Sequence, residues 1–149
     1  MYDKLHETLE KITVDKNKKW NTNRLGFPEH RGCVWDIIKP RFKSKPELSR
    51  YSKNYPEIYE EIVRIGKIIC PFEFNAIQLN KNCCCPPHKD KANQSRSVIV
   101  SFGDYTGGEL VIEGEVFNAY HNAIEFDGVS KLHWNLEHTG TKYSMIFFS

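Results

Sequence analysis

The sequence predicts a mainly β domain of the α+β class, a small jelly roll with N-terminal helices packed on one of its sheets. Three observations lead there. Up to about residue 70 the apolar residues recur at helical spacing or are diluted by polar loop residues. After it come short β-rich runs separated by Gly, Asp and Asn turns. One of those runs, Val98-Ile99-Val100, is apolar on both faces, as a strand sandwiched between layers must be.

Taken in order, residues 3–12 are expected to form a short helix with Leu5, Leu9 and Ile12 on one stripe. Residues 15–55, rich in Pro, Asn, Lys and Arg, read as loop with short helical turns. Pro56 to Ile69 is the clearest helix: Ile58, Ile62, Ile65 and Ile69 share a face, proline suits the first turn, and Pro71 ends it. Strands are expected at Phe72–Asn80, Ser97–Phe102, Glu109–Glu113, Ala123–Phe126 and Thr141–Phe148. The segment Gly103-Asp104-Tyr105-Thr106-Gly107-Gly108 is expected to be a turn.

At 149 residues, with 40% hydrophobic and 27% charged residues, the chain fits a single domain over 1–149, residues 1–70 supporting a β core over 71–149. A net charge of +2 does not by itself mark a nucleic-acid binder. Lys16, Lys18, Lys19 and Arg24 cluster, as do Lys39, Arg41, Lys43 and Lys45. These runs are either solvated surface or phosphate contacts. No apolar stretch approaches the about 20 residues of a membrane helix. The polar N-terminus lacks a secretory h-region, so an intracellular, non-secreted protein is expected. Five cysteines, three of them consecutive (Cys83, Cys84, Cys85), read as reduced thiols, with a redox role for the cluster as the minor alternative. Adjacent positions alternate faces and so make poor joint ligands for one metal. No residue pattern specifies an oligomeric state.

The chemistry concentrates at His88, Asp90 and His133. Positions 88 and 90 are two apart, so on an extended chain both side chains point to one side. Pro86 and Pro87 hold the backbone before them. The gap from Asp90 to His133 accommodates about four short strands with their turns, which returns a later strand beside the pair. Two imidazoles and a carboxylate on one face of an ion make the facial triad of non-haem iron oxygenases. A His-x-Asp pair alone is common by chance. The weight comes from Lys142 and Ser144, on one face of an otherwise apolar final strand. A buried cation beside a metal is costly unless an anion pairs with it. In the competing reading Lys142 snorkels to solvent and pairs with Glu137 or Asp127.

With these residues in place the sequence resembles the Fe(II)/2-oxoglutarate dioxygenase superfamily, whose fold is the double-stranded β-helix. The resemblance covers roughly residues 72–149 and rests on HKD (88–90), FGDYTGGEL (102–110), AIEFDG (123–128), His133 and GTKYSMIFF (140–148). It implies that His88, Asp90 and His133 bind Fe(II), and that Lys142 with Ser144 binds the distal carboxylate of 2-oxoglutarate. Many relatives carry arginine at the Lys142 position, so lysine replaces a planar fork with a single charge contact. It further implies an oxidoreductase that consumes O2 and 2-oxoglutarate, releases succinate and CO2, and hydroxylates a substrate C–H bond. PPHKDK followed by SFGDYTGGELVIEG is most similar to the ten-eleven-translocation and base-J-binding branch, which oxidises pyrimidine methyl groups. That similarity makes nucleic acid the first expected substrate class and protein side chains the second; the branch's extra cysteine-rich and DNA-binding segments have no counterpart in these residues, which weighs against the first.

Gln78 and Asn80 share a strand face that looks either into the pocket, where they would bond 2-oxoglutarate or substrate, or outward. Arg96, at the start of the next strand, is a candidate second carboxylate partner. Trp134 and Tyr105 are candidates for stacking on a planar substrate. Two rival readings use the same residues: a non-catalytic 2-oxoglutarate sensor, and a zinc site for which 2-oxoglutarate is irrelevant.

Overall fold

The computed structural model describes residues 1–14, 32–34, 37–38, 47–48, 53, 55–74, 76–90 and 96–148. The two basic runs expected within 15–55 lie outside these residues, as does the side chain of Ile12.

Helix α1 spans Tyr2–Val14. Strands β1 (Gly32–Val34), β2 (Ile37–Ile38) and β3 (Glu47–Leu48) come next. Helix α2 runs over Pro56–Ile69, the bounds its proline start and isoleucine spacing predict. The remaining strands are β4 (Ala76–Lys81), β5 (Ser97–Gly107), β6 (Leu110–Ile112), β7 (Glu115–Phe117), β8 (Ile124–Phe126), β9 (His133–Asn135) and β10 (His138–Phe148). They form an antiparallel major sheet in the order β1-β4-β10-β5-β8 and a minor sheet in the order β7-β6-β9. The strands β2 and β3 pair with each other.

Alternation along β10 divides the molecule into two sides. Tyr143, Met145 and Phe147 are fully buried against Leu5 and Leu9 of α1 and Ile58, Ile62 and Ile65 of α2. The opposite face, Ser144, Ile146 and Phe148, lines a cavity between the sheets. The run Val98-Ile99-Val100 is divided the same way. Val100 joins the helix-side core, while Ile99 packs with Leu110 and Phe126 on the cavity side. Helices on one face and a minor sheet on the other therefore account for a strand apolar on both sides.

Several expectations need correction. The segment 103–107 is strand rather than turn, because its backbone pairs with His138–Lys142 of β10. Gly103, at φ 119, has no room for a side chain against the Thr141 carbonyl, so the glycines there serve close approach and not reversal. Strand β4 starts at Ala76 rather than Phe72. Strand β7 was not expected, and β9 is the later strand that the spacing to His133 implies, without bounds given for it. Glu113 (φ 48) and Gly114 (φ 84) form the two-residue reversal between β6 and β7, the left-handed pair that a tight hairpin requires. Within 15–55, read as loop, β1 adds a strand to the major sheet beside β4.

Candidate metal centre

His88 and Asp90 lie on the segment between β4 and β5, and His133 opens β9. Four strands, β5 to β8, intervene, as the spacing from Asp90 to His133 predicts. The backbones of His88 and His133 exchange both hydrogen bonds, each 3.0 Å, which extends the minor sheet by one more chain segment. Such a close pair brings side chains together on one face, and the two rings lie 4.3 Å apart.

The side chains converge. His88 Nε2 and His133 Nε2 each lie 3.6 Å from Asp90 Oδ1, and all three ligand atoms fall within 4.8 Å of one another. Both imidazoles are anchored from behind. His88 Nδ1 is 2.7 Å from the Pro86 carbonyl, and His133 Nδ1 is 2.9 Å from the Lys131 carbonyl. A carbonyl can only accept, so each Nδ1 carries a proton; each Nε2 then faces Asp90 as an N–H donor in the charged ring and as a lone pair, open to a metal, in the neutral one. Second hydrogen bonds of this kind orient metal-binding imidazoles.

Asp90 is fixed as firmly. Its amide donates to the Gly128 carbonyl at 2.8 Å. Asp127 Oδ1 caps the turn there, accepting from the amides of Val129 and Ser130. A Cβ built on buried Gly128 would collide with Asp90 Oδ2 and stand 3.2 Å from Asp90 Cγ. Only glycine lets the carboxylate lie here. Burial on its own would raise the Asp90 pKa. Hydrogen bonding and charge from His133 and His88 outweigh it and hold the carboxyl well below its ordinary range. His88 balances the same way: burial lowers its pKa, but Asp90 and the Pro86 carbonyl raise it more, for a net increase.

The donor set suits an ion that accepts imidazole nitrogen and one carboxylate oxygen. Among the described residues this is the one group of three or more His, Cys, Asp or Glu able to share a metal. Its cavity holds about 160 Å³. Larger hollows of about 450 and 490 Å³ lie on the helix side, away from these ligands.

Gln78 and Asn80 line this cavity, and Gln78 Nε2 donates to Asn80 Oδ1 at 2.9 Å. The question left open by their strand face is thus answered inward. Ser144 lines it too. Lys142 is 3% exposed, which excludes the snorkelling alternative. It continues the Ser144 face, but its Nζ donates to the Gly108 carbonyl at 2.8 Å and lies 5.9 Å from the Tyr105 ring centroid. Lys142 is not in the cavity wall, and burial lowers its pKa.

Arg96 does not reach the cavity. It is exposed, its Nε donates to Glu125 Oε1 at 2.7 Å, and its guanidinium lies over Phe72. Strand β8, pairing beside Ser97, supplies the carboxylate that holds it outside. Trp134 and Tyr105 also lie outside the cavity wall. Sequence reasoning missed Gly128, the carbonyls of Pro86 and Lys131, and Asn135, another wall residue. It also missed that Cys83 and Cys85 line the cavity. The alternation invoked to separate adjacent cysteines already placed these two on one side.

No protein-family model matches the sequence, and no curated protein matches it. Solved structures do. A 2OG-Fe(II) oxygenase family oxidoreductase from Burkholderia pseudomallei aligns over 80% of this chain and 65% of its own, at TM-score 0.52 and 18% identity. NgTET1, solved in complex with 5mC DNA, aligns over 98% of this chain and 66% of its own, at TM-score 0.65 and 13% identity. A prolyl-4-hydroxylase from Pseudomonas putida aligns over 99% of this chain and 86% of its own, at TM-score 0.55 and 12% identity. The chain thus spans just under two thirds of the length of the first two. Among the described residues no helix is long and apolar enough to cross a membrane. The architecture built from the sequence is the jelly roll of the 2OG-Fe(II) oxygenases, with helices on the major sheet.

Proposed function

We propose that this chain is an Fe(II)/2-oxoglutarate-dependent dioxygenase that hydroxylates a substrate C–H bond. The observation that carries the reading is the convergence of His88 Nε2, Asp90 Oδ1 and His133 Nε2, with both Nδ1 atoms tied to backbone carbonyls. Iron bound there would supply the oxidising chemistry, with O2 and 2-oxoglutarate consumed and succinate and CO2 released.

The chain's own residues supply position and charge. His88 and His133 offer neutral nitrogens, and the ionised Asp90 offsets part of the metal's charge. Gln78, Asn80 and Ser144 put polar groups in the wall around them, suited to a carboxylate and a keto oxygen. Lys142 lies one pleat beyond Ser144. Turning its Nζ from the Gly108 carbonyl would give a dicarboxylate a cation in a site where Coulomb attraction is poorly screened. Ile99, Leu110, Phe126, Ile146 and Phe148 complete an apolar lining that keeps water from the reacting groups. At about 160 Å³ the cavity is below the roughly 300–1,000 Å³ of drug-sized pockets. That volume suits a small dicarboxylate and leaves the substrate to approach from the open side.

A methylated nucleobase in DNA or RNA is the favoured substrate. The reading is supported by the similarity to NgTET1 in complex with 5mC DNA and by the basic runs of residues 16–24 and 39–45. The similarity to a prolyl-4-hydroxylase supports the second reading, a protein side chain. A non-catalytic 2-oxoglutarate sensor is the rival of another class. The test is incubation with Fe(II), 2-oxoglutarate and a panel of methylated oligonucleotides. Succinate with oxidised bases is expected, and succinate with unchanged bases would overturn the nucleobase assignment. Succinate with hydroxylated protein from a lysate would support the second reading. Tight 2-oxoglutarate binding without succinate on any substrate would favour the sensor.

A further inference from the structure

The cavity wall contains chemistry that iron ligation and cosubstrate binding do not use. Cys83 and Cys85 are both buried, at 5% and 7% exposure, and both line the cavity that holds His88, Asp90 and His133. Their Sγ atoms are 3.1 Å apart. The chain around them is held from both ends. Asn82, in the left-handed region at φ 52, donates its amide to the Lys142 carbonyl and accepts the Lys142 amide on Oδ1. Cys85 accepts from the Asn135 amide through its carbonyl and donates to Asn135 Oδ1. Alternation turns Cys84 away, toward the carbonyls of Asn135 and Leu136. Two backbone clamps, on β10 and β9, thus aim two thiols at each other.

We propose that Cys83 and Cys85 form a reversible dithiol–disulfide site in the cavity wall, oxidised by a low-molecular-weight disulfide of the glutathione type. One protein thiolate attacks a sulfur of that disulfide, forming a mixed disulfide and releasing one small thiolate. The second protein thiolate then attacks the protein sulfur of the mixed disulfide. The Cys83–Cys85 bond forms and the second small thiolate leaves. Both thiol protons end on the two small thiols, and the two electrons reduce the external disulfide. Reaching bond distance moves the sulfurs by only about 1 Å, since a disulfide is about 2.05 Å long.

The test uses the whole chain carrying Cys84→Ser, so that no vicinal pair competes. After incubation with oxidised glutathione, alkylation and tryptic digestion, mass spectrometry should show the peptide of residues 82–89 two hydrogens lighter and unalkylated. Reduction with dithiothreitol should restore two alkylatable thiols. Cys83→Ser and Cys85→Ser, each in the Cys84→Ser background and checked for native circular dichroism, should lose the product. Should either variant fold poorly, direct fragmentation of the oxidised Cys84→Ser peptide locates the bond. Full alkylation at both positions after oxidant, or stable glutathione adducts alone, would overturn the proposal.

One further readout rests on the dioxygenase reading. Saturating Mn(II) with 2-oxoglutarate should slow alkylation of Cys83 and Cys85 at least several-fold in the native chain while Cys84 is unaffected. Disulfide formation without that protection would sustain the thiol site and count against the cosubstrate's place in the cavity. Protection without disulfide formation would do the reverse.

Discussion

Replacing Gly128 by alanine introduces a single methyl group directly against the carboxylate that the other two ligands face. The added Cβ would overlap Asp90 Oδ2, lie 3.2 Å from Asp90 Cγ, and lie 3.2 Å from Phe126 Cε2. An ordinary carbon–oxygen contact is roughly 3.3 Å or longer, so the carboxylate must retreat by on the order of 1 Å. It cannot do so as a rigid unit, because the Asp90 amide is bonded to the Gly128 carbonyl at 2.8 Å. Productive sites tolerate displacements of only about 0.5 Å, and disturbing the groups that orient a ligand typically costs about 10–100-fold in metal affinity. The expected outcome is therefore a 10–100-fold weaker Mn(II) or Fe(II) dissociation constant, roughly 1.4–2.7 kcal/mol, with circular dichroism unchanged. Anaerobic metal titration measures the first quantity. Wild-type affinity in a folded Gly128→Ala protein would refute the claim that glycine is there to admit the Asp90 carboxylate.

Lys142→Met should weaken 2-oxoglutarate binding by about tenfold or more, the scale of a lost charged hydrogen bond. The same change relieves a buried charge, so unfolding stability should hold or rise, and calorimetry with thermal melts checks both. Because the Lys142 pKa is lowered by burial, the unfolded chain binds more protons between its folded value and about 10.4. Wild-type stability should rise with pH across that window, and the Lys142→Met slope should be flatter. At the metal site His88 has a raised pKa, so its contribution to the metal-free fold is complete below 6.5 and fades as pH rises through the folded value. Metal competes with that proton, so Mn(II) affinity should increase over the same rise; melts at pH 6, 7 and 8 with and without Mn(II) test this, and parallel curves would contradict it. Gly66→Ala places a Cβ 2.5 Å from Phe147 Cε1 and 2.6 Å from Phe74 Cζ. This overpacks the α2–β10 contact, and urea unfolding should show a loss of about 1–3 kcal/mol.

The sequence by itself determined what depends on local period. Isoleucines at helical spacing with a flanking proline define α2, and residues 88 and 90 share a side because strand alternation has period two. The same alternation put Ser144 with Ile146 and Phe148, and Gln78 with Asn80, before any contact was known. Strands β7 and β9, EVF and HWN, are three residues long and have no apolar run such as the LVI of the equally short β6. Only tertiary pairing defines them, and the glycines of 103–108 read as a turn until β10 is laid beside them. Arg96 shows the same limit from the other side: a charge at a strand start has no address until β8 brings Glu125 to it. The triad that carries the proposed function belongs to both levels. Its residue types and spacing are local, but the cross-strand bridge that sets His133 opposite His88 joins positions far apart in the chain. The carbonyls behind the rings and the space left by Gly128 exist only once the minor sheet has closed on the major one.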